Sequence, residues 1–178
     1  MTLRFVLLFA IGLVGQATPT GLPVIEYHHV GPVAIGADAQ TIYEAFPANS
    51  RELVDLGYEG MLSPALLLRF VGASQRDGVV AELVAGRKGL VVWRIQIRDP
   101  SFRTLNGIGV GSTVGQLRAA YHLDSVRSGE GNVVIRVEQL SASFVLDQSA
   151  QGGVQLRTLG TPDAVPDSVK IKSVLLTK

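Results

Sequence analysis

A turn-and-helix phrase occurs twice in this chain, and it limits the available folds more than any other feature. Pro32-Val33-Ala34-Ile35-Gly36-Ala37-Asp38 runs into Ile42 and Phe46. Gly107-Ile108-Gly109-Val110-Gly111-Ser112-Thr113 runs into Leu117 and Tyr121. Each copy has a glycine for a tight turn and a residue that can cap a helix, Asp38 or Thr113. Each also has two apolar residues four apart, which share one helical face. The pattern predicts short helices over 39–46 and 114–121, the first stopped by Pro47. Helices this short are not stable alone and need a sheet face to cover.

The segments between read as strands. Residues 22–30 follow a Gly/Pro/Thr leader and are expected to form one strand, ended by Gly31-Pro32 and paired at an edge or completing the first unit. Further strands are expected over 65–71, 78–84, 90–98, 136–140, 141–146 and 169–176, while 51–56 is ambiguous. In the strand over 90–98, Trp93, Ile95 and Ile97 alternate with Arg94, Gln96 and Arg98. Strict alternation describes a sheet with one buried and one wet face.

The fold class that follows is α+β. Two tandem units, each a short helix plus about three antiparallel strands, are expected to form one curved sheet with helices on one side. The domain reading is a signal peptide over 1–17, an N-terminal strand plus first repeat over 18–98, a linker over 99–106 and a second repeat over 107–178.

The leader reading rests on Arg4, the apolar run from Phe5 to Val14, and the small residues of Gly15-Gln16-Ala17. That is the pattern of a secretory signal cleaved after Ala17, and the apolar run is too short for a spanning helix. The mature chain is therefore expected to have no integral membrane span and to reside in the periplasm or outside the cell. Loss of Arg4 takes the formal net charge from +1 to 0. A neutral chain without a basic block is a poor nucleic-acid binder. The absence of cysteine leaves stability to packing and excludes thiol chemistry and cysteine metal sites.

No constellation of residues defines a reaction. Gly107-x-Gly109-x-Gly111 has the wrong spacing for a dinucleotide loop and reads as turn glycines. Glu26 and His28 share a strand face and could meet His29 or His122 at a metal, but satisfied or surface histidines are the favoured reading. Ser141 and Ser143 lack the context of a nucleophile. Glu82, Glu130, Glu138 and Asp147 are carboxylates without a defined separation, and Glu82 and Glu138 read as solvent-facing. Trp93 is assigned to the core with Ile95 and Ile97. The competing reading is an exposed aromatic anchor, with Tyr27, Tyr43 and Tyr58 adding to its surface. No catalytic, cofactor-binding or metal residue, and no cofactor, is assigned.

The two segments Ile35-Gly36-Ala37-Asp38 with Phe46, and Val110-Gly111-Ser112-Thr113 with Tyr121, give the chain a resemblance to small bacterial envelope or secreted proteins. These are built of helix-plus-sheet repeats, as in the beta-lactamase inhibitory protein and the SmpA/OmlA-type outer-membrane-assembly lipoprotein. The stretch from Phe102 to Gly111 also resembles exported proteins of similar size. The resemblance implies a protein binder that catalyses nothing. The chain lacks the inhibitor's cysteines and the lipoprotein's lipidated cysteine, so no binding residue is carried over. The expected function is a non-enzymatic exported protein that binds another protein, in the bacterial envelope or exterior, or an envelope ligand. The alternatives are an envelope hydrolase using loops such as 125–131, or a purely structural periplasmic protein.

Overall fold

The computed structural model describes residues 23–58, 61–73, 78–129, 131–149 and 160–178. The signal-peptide reading and Glu130 lie outside them. Strands β1 (Ile25–Glu26), β2 (His29–Val30) and β3 (Val33–Ala34) lead into helix α1 (Ala39–Ala45). Then come β4 (Arg51–Tyr58), β5 (Met61–Leu68), β6 (Val79–Ala85) and β7 (Leu90–Ile97). Helix α2 (Val114–Ala120) precedes β8 (Ser125–Gly129), β9 (Asn132–Val137), β10 (Ala142–Leu146) and β11 (Ile171–Thr177).

Among the described residues the strands form two antiparallel sheets, one of three strands and one of eight, the latter in the order β4-β5-β6-β7-β11-β10-β9-β8. This corrects the expectation of two equivalent three-stranded units in one curved sheet. The larger sheet is open, ending at the edges β4 and β8, and each half of the chain gives it four strands. Among the described residues only the first half carries the small extra sheet, so the halves are not symmetric repeats. The expected strand over 22–30 is instead a hairpin with a two-residue turn at Tyr27-His28. It joins the small sheet, and Ile25 donates its N–H to the Arg103 carbonyl at 2.8 Å. The turn depends on His28 taking φ 63, a conformation that side chains favour little and that no glycine announces.

The two helix starts form as their sequences dictate. Asp38 Oδ1 accepts from the N–H groups of Gln40 and Thr41 at 2.9 and 3.2 Å. Thr113 and Gln116 make a reciprocal capping box. Ahead of each cap, a glycine with φ 83 (Gly36) or 85 (Gly111) ties the turn to a strand. Gly36 donates to Val92 and Gly111 to Ile171, at 2.7 and 2.8 Å.

Both helices pack on the same face of the large sheet. Ile42 of the first with Phe46 at its C-cap, and Val114 and Leu117 of the second with Tyr121 at its C-cap, join one core with Ile95, Ile97, Phe144, Val174 and Leu176. β7 pairs with β11, which makes this core continuous across the two halves of the chain. Phe102, in the segment between the halves, is fully buried and stacks edge-on against Phe70, which does the same to Phe46. Burial of this apolar surface is the main driving force for the fold.

Candidate functional site

Among the described residues, the other face of the large sheet carries no helix contact of this kind, and two bulges shape it. Along β6 and β7, Glu82 faces Arg94 but Leu83 faces Val92, so Trp93 is one residue too many. Along β10 and β11, Val145 faces Ser173 but Leu146 faces Ile171, so Lys172 is the extra residue. A bulge leaves its extra residue outside the ladder and bends the strand. Here the first keeps Val92, Ile95 and Ile97 all on the core side and turns Trp93 outward, 41% exposed. The assignment of Trp93 to the core is therefore corrected, and the aromatic-anchor alternative describes its position.

Arg94 follows Trp93 onto the same face. Its guanidinium sits 4.6 Å from the Trp93 ring centroid and grips Glu82 with two bonds, Nε to Oε1 at 2.8 Å and Nη2 to Oε2 at 2.7 Å. Glu82 was expected at the solvent face. It does lie on that face, since its register partner is Arg94, but it is only 1% exposed. A buried carboxylate needs such a partner, because leaving it unpaired costs several kcal/mol (~3–5). The pair fixes the Arg94 plane, and that plane supports the indole.

From Arg94 a groove of about 650 Å³ runs across the sheet. Gln96 of β7, Arg98 just beyond its end and Lys172 of β11 give it polar, cationic walls, and Val134, Val145 and Leu175 give it an apolar floor. Val145 is buried yet lies outside the main core, on the opposite face of the sheet from Phe144 and Leu146. Arg98 Nη2 donates to Gln96 Oε1 at 2.6 Å, and Arg98 has no carboxylate partner among the described residues. Just after β10, Asp147 accepts from the Ser149 hydroxyl and N–H at 2.6 and 2.9 Å. Those bonds hold its carboxyl below the ordinary value of 3.8 against the opposing effect of burial, with Lys172 and Lys170 adding smaller pulls. The groove is thus cationic with an apolar bed and one aromatic neighbour, an arrangement suited to an acidic, partly apolar ligand.

The other sequence candidates do not converge. Glu26 and His29 face each other at 3.1 Å in the small sheet, while His122 lies at the end of α2 beside Asp124, at 3.9 Å. Among the described residues no group of three or more His, Asp or Glu side chains could hold a metal. The Ser141 hydroxyl donates to the Thr177 carbonyl at 2.9 Å and accepts from Arg136 at 3.0 Å, which is a structural bond pattern. Glu138 pairs with Arg136 at 3.1 Å. Residues 125–129, offered as loop, form strand β8. The glycines at 107–111 serve the chain path: a Cβ on Gly109 would sit 2.3 Å from the Phe102 carbonyl. Tyr27 is exposed in its turn, and Tyr43 is capped by Arg51 at 3.7 Å. Neither lines the groove.

The sequence offered Trp93 as an alternative surface anchor and placed Arg98 on the wet face of its strand, but it singled out neither Lys172, Val134 nor Val145. Their convergence depends on β7 pairing with β11, a contact between distant parts of the chain.

Among the described residues, no helix is long and apolar enough to cross a membrane. No protein-family model matches the chain, and no curated protein matches it in sequence. Among solved structures its fold is similar to that of the uncharacterized protein yfeY from Escherichia coli. The match has TM-score 0.58 and 13% identity, covering 87% of this chain and 99% of that one. At this identity the likeness shows the fold alone. It gives no support to the beta-lactamase inhibitory protein or the SmpA/OmlA-type lipoprotein specifically.

Proposed function

We propose that this chain is a non-enzymatic exported protein that binds an envelope protein through the helix-free face of its large sheet. The observation that carries this reading is Trp93. A bulge turns it out of the core, and Arg94 holds it beside a cationic groove. Tryptophan and arginine are enriched in protein-binding hot spots: the indole brings large contact area on few rotatable bonds, and the guanidinium brings a planar fork of donors that also stacks on aromatic faces. The groove walls Arg98 and Lys172 select an acidic segment, and the Val134, Val145 and Leu175 floor takes its apolar side chains. The leader sequence motivates the periplasm or exterior as the place of action.

A photo-crosslinking residue at position 93, expressed in the native envelope, tests this. One defined protein is expected, and its capture is lost in a chain carrying Arg98→Glu and Lys172→Glu. A probe at exposed Leu105, outside the groove, is expected not to capture it. Equal capture from positions 93 and 105, or capture untouched by the charge reversals, rejects the groove as the binding face.

A further inference from the structure

The large sheet ends at β4, and among the described residues no segment pairs with its outer side. The polar groups at that edge can be assigned. Arg69 donates its N–H to the Ser50 carbonyl at 2.8 Å, so the even-numbered residues of β4 are those bonded to β5. Bonding alternates along an antiparallel strand, so Arg51, Leu53, Asp55 and Gly57 turn their N–H and carbonyl groups outward. The same odd residues share one side-chain face, the face on which Arg51 lies against Tyr43 of α1. Leu53 is 64% exposed there, Asp55 makes no ion pair among the described residues, and Arg51, whose guanidinium lies over the Tyr43 ring and donates Nη1 to the Tyr43 carbonyl, has no carboxylate partner among them.

We propose that β4 pairs antiparallel with β4 of a second copy of this chain, with the dyad at Leu53. The strand's own charges choose the occupant and the register. With Leu53 opposite Leu53, Arg51 of each copy lies opposite Asp55 of the other, and Glu52 lies opposite Val54. Sliding one way puts Glu52 against Glu52. Sliding the other way puts Leu53 against Asp55, and then Asp55 against Asp55. Like charges directly opposite are destabilising and opposite charges stabilising, so one register stands out. Glu52 does not oppose it, because Arg69 already binds Glu52 at 2.9 Å on the other face. A dyad at this edge consumes the free β4 and closes the assembly at two copies. The groove lies toward the opposite end of the sheet, so this pairing stands or falls independently of the proposed binding function.

The absence of cysteine makes the test clean. In the full mature protein, Leu53→Cys introduces the sole thiol. Across the dyad its Cα lies about 5.5 Å from its copy, within disulfide reach. Leu62→Cys is the control. It is as exposed, but belongs to β5 opposite Gly57, and the dyad separates its two copies by roughly 27 Å along the strands. Mild oxidation is expected to convert Leu53→Cys, and not Leu62→Cys, to a covalent dimer. Sedimentation of the unmodified protein is expected to show a concentration-dependent doubling of mass. Asp55→Arg is expected to weaken that association about tenfold without changing the thermal midpoint of the dilute monomer. A single-chain mass at every concentration, equal crosslinking of the two cysteine variants, or assemblies growing beyond two chains overturns the proposal. So does trapping of Leu53→Cys on a different envelope protein in place of its own copy.

Discussion

Trp93 and Ile95 are two residues apart on one strand, yet Trp93 is 41% exposed and Ile95 is fully buried. Alternation would put them on the same face. The bulge opposite Glu82 and Leu83 inserts one residue and separates them. The two side chains should therefore respond differently to truncation. Ile95→Ala should destabilise the fold by about 2–5 kcal/mol, as removal of a packed core side chain does. Trp93→Ala should cost less than about 1 kcal/mol. Urea denaturation of both variants checks this, and a large loss in Trp93→Ala would place the indole back in the core.

This pair also shows what the sequence could and could not reveal. Helix starts were legible because their determinants are local: Asp38 and Thr113 reach N–H groups two or three residues away. The inner face of β7 was legible from Ile95 and Ile97. The bulge was not, because it is a property of how β6 registers against β7. The Tyr27-His28 turn was not, because it uses a strained histidine where a glycine or asparagine would have signalled it. β4 was ambiguous because residues 51–57 are all exposed or half-buried, so neither face of this edge strand carries a continuous apolar stripe. The groove was illegible as a unit, since Arg98, Val134, Val145 and Lys172 meet only through pairings across four strands.

The Glu82–Arg94 pair predicts an asymmetric mutational response. Arg94→Ala leaves the Glu82 carboxylate buried without its bidentate partner and should cost about 3–5 kcal/mol. Glu82→Leu with Arg94→Met removes both charges and should recover most of that loss, because the desolvation penalty disappears with them. Denaturation midpoints of the single and double variants measure the difference. Additive losses in the double variant would refute the coupling.

Gly109 and Gly111 should differ in the physical origin of their intolerance. Gly111 has φ 85 with open space where a Cβ would stand, so Gly111→Ala meets only backbone strain, about 1–2 kcal/mol. A Cβ at Gly109 would lie 2.3 Å from the Phe102 carbonyl and 3.1 Å from Arg103 Cδ. The backbone of the 102–109 turn must move to admit it, so Gly109→Ala should cost more than Gly111→Ala. Thermal unfolding of the two variants decides the order, and equal shifts would show that the turn yields freely.

Asp147 should give the fold a distinct acid dependence. Its carboxyl titrates below 3.8 chiefly because the Ser149 hydroxyl and N–H bind the ionised form. A carboxyl whose folded value is depressed adds stability above its unfolded value, and that contribution is lost as pH falls from 3.8 through the lower folded value. Ser149→Ala removes the stronger of the two bonds and should raise the Asp147 titration midpoint towards 3.8. Lys172→Ala should move it the same way by less, because the lysine acts only through a screened charge. Carboxyl chemical shifts followed by NMR between about pH 5 and pH 2 separate the two. A larger shift from Lys172→Ala than from Ser149→Ala would mean that the groove's cation, and not the Ser149 turn, governs this acid.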